Sequence, residues 1–233
     1  MKILAIDSSG LVAAVALVED DNLLAEYTIN YKKTHSQTLL PMLNEVGKMI
    51  ELDLNTIDAI AVTAGPGSFT GLRIGAATAK GLGLALDKPL IAIPTVDGLA
   101  YNLYGTDKLI CPLMDARRDQ VYTGLYEFHK KELNIVAAQM AVSISEIIRR
   151  LNELGREVIF LGDGVPVYRE VIETSLKIPY EFAPAHMNKQ RAGAVAVLAK
   201  HYLEAGKTVS AKEFQPDYLR IPQAERERAE KKQ

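Results

Sequence analysis

The sequence predicts an α/β protein built twice in one chain, as two sheet-and-helix lobes in which the order β-β-β-α-β-α-β-α runs once through each half. Three observations carry that expectation. The hydrophobic period switches between 2 and 3.6 in the same succession in both halves, which separates strands from helices. With 233 residues, 48% of them hydrophobic, the chain can bury a sizeable core as one large domain or two small ones. Third, residues 63–86, TAGPGSFTGLRIGAATAKGLGLAL, begin as the end of an apolar strand, break at Gly65-Pro66-Gly67-Ser68 and continue as a long helix.

In chain order, residues 2–6 form a short apolar strand, Asp7-Ser8-Ser9-Gly10 a turn, and residues 11–18 a second strand. A turn at Glu19-Asp20-Asp21-Asn22 leads into a third, 23–30, giving an antiparallel meander. The helix that follows is expected to be capped by Thr34, Ser36 or Thr38, with Leu39, Leu40, Leu43, Val46 and Ile50 on one face. Pro41 is tolerable there only near the first turn, where a lost N–H bond matters least. Residues 57–64 form the next strand, and Ser68 or Thr70 caps the helix over 70–86. Residues 89–93 are a strand, and Pro94-Thr95 opens a short helix ending near Gly105.

The helix over 70–86 is unusual in composition. Gly71, Gly75, Ala79 and Gly83 recur at i+4 as one narrow stripe of almost no side-chain volume. Each interior glycine costs roughly 1 kcal/mol relative to alanine, so Gly71, Gly75, Gly81 and Gly83 together cost about 4 kcal/mol. Close approach of another backbone offsets such a cost. That backbone belongs either to the chain's own core or to another subunit. On the second reading the contacts come from Leu39, Leu43, Val46 and Ile50 on one helix and Thr70, Gly71, Ile74, Gly75, Thr78 and Ala79 on the other.

The second half repeats the order: strands at 109–114, 121–128 and 133–140, then a helix to about Leu154 with Ser143 and Glu146 as a capping box. A strand at 158–161, a break at Gly162-Asp163-Gly164, a helix at 166–176, a strand at 180–183 and a helix at 192–205 complete it. The expected division is a first lobe of residues 1–105, a second of 106–222, joined near Gly105 to Lys108, and a charged tail, 223–233.

Composition excludes several function classes. The 27 basic and 29 acidic residues leave no strong net field, so phosphate neutralisation alone cannot hold a nucleic acid tightly. Arg117-Arg118, Lys130-Lys131 and the tail arginines Arg226 and Arg228 offer only local contacts. Cys111 is the one cysteine, which rules out an intramolecular disulfide and a multi-cysteine zinc site. An aspartate arrives too early for a signal peptide, and no uncharged apolar run reaches membrane-spanning length, so a soluble cytoplasmic protein is expected.

The catalytic motifs are weak. The Gly65–Gly67 turn before a helix resembles a phosphate cradle, yet it lacks the lysine and spacing of a P-loop and does not match the dinucleotide fingerprint. There is no Gly-x-Ser-x-Gly elbow and no cysteine with a histidine partner, and His35, His129, His186 and His201 share no helical spacing, so no metal site is legible. As bare sequence Asp7, Ser8 and Ser9, with Gly162, Asp163 and Gly164 in the second half, are β-turns; a nucleotide site at these two loops is implied only by the family resemblance. Two functions of different class therefore stand. One is a non-catalytic scaffold; the other is a free-standing ATP-dependent phosphotransferase or ATPase using Asp7 and the Gly162-Asp163-Gly164 loop.

The segments LAIDSSG, THSQTLLPML, AVTAGPGSFTGLRIGAATAKGL, PTVDGLA, DARRDQVY and PDYLR, spread over nearly the whole chain, resemble the TsaB (YeaZ) family. The resemblance implies the duplicated RNase H-like fold of the actin, Hsp70 and sugar-kinase superfamily (the ASKHA fold), in which the first hairpin commonly holds nucleotide phosphates. It implies a part in making threonylcarbamoyl-adenosine at position 37 of tRNAs that read codons beginning with A. The implied partners are a catalytic TsaD-like subunit, a TsaE-like ATPase, and tRNA through the complex, with a homodimer when the chain is alone and no membrane. The catalytic relative carries a His-x-x-x-His metal pair, and the positions matching it here are Thr95 and Leu99. Leucine cannot ligate, so the resemblance favours the scaffold, with no catalytic residue, no metal and no cofactor of its own, and ATP or ADP acting at or through the complex.

Overall fold

The computed structural model describes residues 1–31 and 34–220, so the charged tail with Arg226 and Arg228 lies outside the described residues. Strands β1 (Lys2–Asp7), β2 (Val12–Glu19) and β3 (Asn22–Asn30) pair antiparallel as the expected meander. Strands β4 (Ala59–Gly65) and β5 (Leu90–Pro94) add in parallel on the other side of β1, giving the order β3-β2-β1-β4-β5. In the second half β6 (Leu109–Asp115), β7 (Gln120–His129) and β8 (Glu132–Ser143) form the meander, and β9 (Val158–Leu161) and β10 (Tyr180–Phe182) extend it in parallel. The order β8-β7-β6-β9-β10 reproduces that of the first sheet, strand for strand. The fold is the duplicated α/β arrangement that the repeated order predicts.

Helices α1 (His35–Met49) and α2 (Phe69–Leu86) cover the outer face of the first sheet, and α4 (Ile144–Leu154) and α5 (Gly164–Ser175) cover that of the second. Alternation along the strands sets this up: Leu4, Ile6, Val15 and Leu17 face α1 and α2, while Ile3, Ala5, Ala14 and Ala16 face the other way. That other face is rich in alanine, and it receives the equally small Ala192, Ala196 and Ala199 of α6 (Ala192–Glu204) at short range. Helix α6, expected with the second lobe, therefore packs on the sheet of the first. Conversely α3 (Thr95–Tyr101) sends Val96, Leu99 and Ala100 against Ile110, Met114 and Tyr126 of the second sheet. The two short layers between the sheets are exchanged. After α6 the chain stays on the first lobe, where Val209 bridges to Leu90 and Ala211 and Phe214 enter the core under α1 and α2.

One local expectation changes, and two caps are found where they were expected. Helix α1 begins at His35, after Thr34, whose side chain makes no capping bond, so Pro41 stands inside the helix rather than in its first turn. Helix α2 is capped by Ser68, whose Oγ accepts from the Gly71 N–H at 3.3 Å. Ser143 likewise accepts from the Glu146 N–H at 3.2 Å and starts α4.

Candidate functional site

Between the lobes lies a cleft of about 750 Å³. The first lobe contributes the β1–β2 turn at Ser9 and Gly10, the start of α1 at His35 and Ser36, and the turn into α2 from Pro66 to Thr70. The second lobe contributes Asp115 to Arg118 from the β6–β7 turn, and Asp163, while residues 217–220 of the C-terminal segment close one side.

The two loops expected to hold a nucleotide are spent on the chain itself. Asp7 is only 1% exposed, and its Oδ1 accepts from the Ser9 N–H (2.9 Å), the Ser9 hydroxyl (2.6 Å) and the Thr63 hydroxyl (3.0 Å). Burial raises the Asp7 pKa, against the lowering effect of these bonds and of nearby His35. Ser8 is buried and its hydroxyl donates to the Gly71 carbonyl at 2.9 Å. The Ser68 N–H, which a phosphate at the start of α2 would use, donates instead to the Ser9 carbonyl at 2.7 Å. His35 Nε2–H donates to the Gly10 carbonyl at 2.7 Å and fastens the same turn to α1. In the second loop only Asp163 reaches the cleft. Its Oδ1 accepts from the Asp115 N–H at 3.2 Å, and burial raises its pKa. Gly162 and Gly164 serve close packing, since a Cβ on either would crowd the Leu113 carbonyl. The Asp7 carboxylate therefore does not line the cleft, and the Ser68 N–H is already taken by the chain.

The small-residue stripe is explained by the same turn. A Cβ on Gly71 would fall on the Ser8 carbonyl, one on Gly75 on the Ser8 hydroxyl, and one on Gly83 within 3.0 Å of Ala211 Cβ. The backbone that approaches α2 is thus the chain's own. Of the residues expected to touch a partner, Leu39, Val46, Gly71, Gly75 and Ala79 are buried inside this chain. Leu43, Ile50, Ile74 and Thr78 are half-buried and Thr70 is exposed. What α1 and α2 turn outward is a different set: Leu40 (58% exposed), Met49, Ala77, Gly81 and Leu84 (55% exposed). The i+4 spacing marked a packed stripe correctly and could not say whose atoms pack on it.

The positions that would carry a metal pair are filled by core. Thr95 and Leu99 are both buried, Leu99 among Ile110, Met114 and Ile159, and the Thr95 hydroxyl has no hydrogen-bond partner. Among the described residues no group of three or more His, Cys, Asp or Glu side chains is placed to hold a metal ion. Cys111 is fully buried, and its thiol is pushed up to about 12 by burial, so it is no nucleophile.

Two features escaped the sequence reading. Asp97, buried between the sheets, accepts from Tyr126 at 2.7 Å and from Tyr202 at 3.3 Å. The segment around Pro216 to Arg220 crosses the cleft from one lobe to the other. A lone aspartate in a short helix gives no signal of its own, whereas PDYLR was visible as a motif without a role.

A family model described as "TsaD: tRNA N6-adenosine threonylcarbamoyltransferase" matches residues 22–228. The chain is 36% identical to the tRNA threonylcarbamoyladenosine biosynthesis protein TsaB of Bacillus subtilis (strain 168), over 97% of this chain and 96% of that one. It is 30% identical to the protein of that name from Escherichia coli (strain K12), over 94% and 95% of the two chains. In structure it matches YeaZ from Pseudomonas aeruginosa with a TM-score of 0.79 and 26% identity, covering 94% of this chain and 99% of the other. No described helix is long and apolar enough to cross a membrane.

Proposed function

Because this chain belongs to the TsaB (YeaZ) family, we propose that it acts in forming threonylcarbamoyl-adenosine at position 37 of tRNAs that read codons beginning with A, as a subunit that does not transfer the group itself. The observation that carries the non-catalytic part is the packing at Thr95 and Leu99. Side chains sunk in the layer between the sheets have no access to substrate, and leucine has no lone pair for a metal. The self-satisfied Asp7 turn supports the same reading, and with it the absence of a nucleotide of the chain's own; ATP or ADP then enters through the complex.

The role left is assembly. On α2 the exposed Leu84 shares one helical face with the small Ala77 and Gly81, and α1 exposes Leu40, giving apolar surface for a second helix pair. A TsaD-like catalytic subunit of related topology docks there, a second copy takes its place when the chain is alone, and a TsaE-like ATPase joins the pair. Leu40→Glu should weaken association at least tenfold, about 1.4 kcal/mol, in sedimentation, with the monomer still folded because Leu40 is exposed. tRNA binds through the complex, with Arg117, Arg118, Lys130 and Lys131 exposed on turns for phosphate contacts.

Depleting the protein and measuring nucleosides of bulk tRNA by mass spectrometry tests the pathway. Threonylcarbamoyl-adenosine should fall and be restored by a Thr95→Ala copy; an undiminished level would overturn the assignment. Calorimetric titration of the purified chain with ATP and Mg²⁺ tests the non-catalytic role, which turnover would contradict.

A further inference from the structure

We infer that residues 214–220 are a releasable latch that fastens the second lobe to the first across the mouth of the cleft, so that freeing their end from Gln139 and Ala116 opens it. The segment has a fixed root and a light end. At the root, Phe214 is 2% exposed in the core under α2, and Lys80 Nζ donates to the carbonyls of Lys212 (3.2 Å) and Phe214 (3.0 Å). From there the chain runs over the first lobe. The Asp217 N–H donates to the Ala64 carbonyl at 2.7 Å, and the Tyr218 ring lies 4.9 Å from that of Phe69. Phe69 also carries the Arg73 guanidinium 3.9 Å above its face.

Among the described residues, two hydrogen bonds carry the segment to the second lobe. Gln139 Nε2 on β8 donates to Asp217 Oδ2 at 2.8 Å, and Arg220 donates to the Ala116 carbonyl at 2.8 Å. The Gln139–Asp217 bond is exposed and the Arg220–Ala116 bond half-buried, and each depends on side-chain atoms that can exchange their partner for water. The first lobe holds the segment through the buried Phe214, the Asp217 main-chain bond, the two Lys80 bonds and the Phe69–Tyr218 ring contact, so among the described residues the second-lobe end is the more lightly held and is the one that lets go. Behind the cleft α3 and α6 lie between the sheets, joined through Asp97, Tyr126 and Tyr202, and provide the layer about which the lobes turn. Asp217, Tyr218, Leu219 and Arg220 all line the cleft, so movement of the latch and access to the cleft are one event.

The test uses the full chain with spin labels on cysteines introduced at Asn55 in the first lobe and Glu153 in the second, both exposed, while Cys111 stays buried and unlabelled. The double variant Asp217→Ala, Arg220→Ala removes both second-lobe contacts and leaves the Asp217 N–H in place. Electron-electron distance measurement should show a second, longer population that the wild type lacks, with circular dichroism unchanged. The chain has no tryptophan, so Tyr218→Trp reports the latch itself, and its emission should shift to the red in the double variant. If that variant does not fold, Gln139→Ala breaks the same contact from the second lobe and should lengthen the distance in part. An unchanged distance together with red-shifted emission from the introduced tryptophan would overturn the inference, as would a wild-type distribution already as broad as the variant's.

Discussion

Asp97 shows how one buried carboxylate ties three elements together and what it costs. It lies on α3, its two oxygens accept from Tyr126 of β7 and Tyr202 of α6, and burial raises its pKa from the ordinary 3.8, as it does for Asp7 and Asp163. A folded pKa above the unfolded one means that the folded state binds the proton more tightly. The associated stability is full below pH 3.8 and is lost as pH rises through the folded value. In Asp97→Asn the proton-linked part disappears, and one tyrosine contact is weakened at a cost of about 1 kcal/mol. Urea unfolding between about pH 4 and pH 7 should therefore show the variant's deficit shrinking as pH rises. A deficit that grows with pH would mean that the tyrosines stabilise the charge more than burial opposes it. At Thr95 the expectation is simpler. Its hydroxyl is buried without a partner, so Thr95→Val should gain on the order of 1 kcal/mol in the same assay, and a loss would reveal a bonded hydroxyl.

At the scale of one element, α2 offers a matched pair of glycines. Gly75 meets Ser8 of the first turn, whereas Gly81 is exposed, with nothing within 4 Å of the place an added Cβ would take. Gly75→Ala should destabilise by about 1–3 kcal/mol through overpacking, and Gly81→Ala should stabilise by about 1 kcal/mol through helix propensity. Thermal unfolding of the two variants decides whether the stripe is internal. If Gly75→Ala melted with the wild type and only its association changed, the stripe would belong to an interface after all. The contrast also shows why the spacing alone was ambiguous: i+4 small residues report that something packs closely, and a turn far earlier in the chain is as good a something as another subunit.

At the scale of the whole molecule, the exchanged helices make the two halves interdependent. The first sheet's inner face, from Ile3 and Ala5 to Ala59 and Ala61, is covered by α6, which the chain supplies only after the whole second sheet has been laid down. Residues 1–105 expressed alone should give no cooperative unfolding transition, and addition of residues 106–233 should restore one. A sharp transition for the fragment by calorimetry would show that the covering is dispensable. The element order, the strand and helix types and the antiparallel meander of each half were determined by the sequence, with Ser68 as one of two candidate caps, because period, capping residues and turn chemistry act over a few neighbours. Which face of α1 and α2 is core, why Asp7 turns away from the cleft, where α6 goes and what the PDYLR segment fastens were decided only in three dimensions. Each depends on atoms far apart in the chain, such as Ser8 beneath Gly71 or Asp217 beside Gln139, and local pattern carries no record of such meetings.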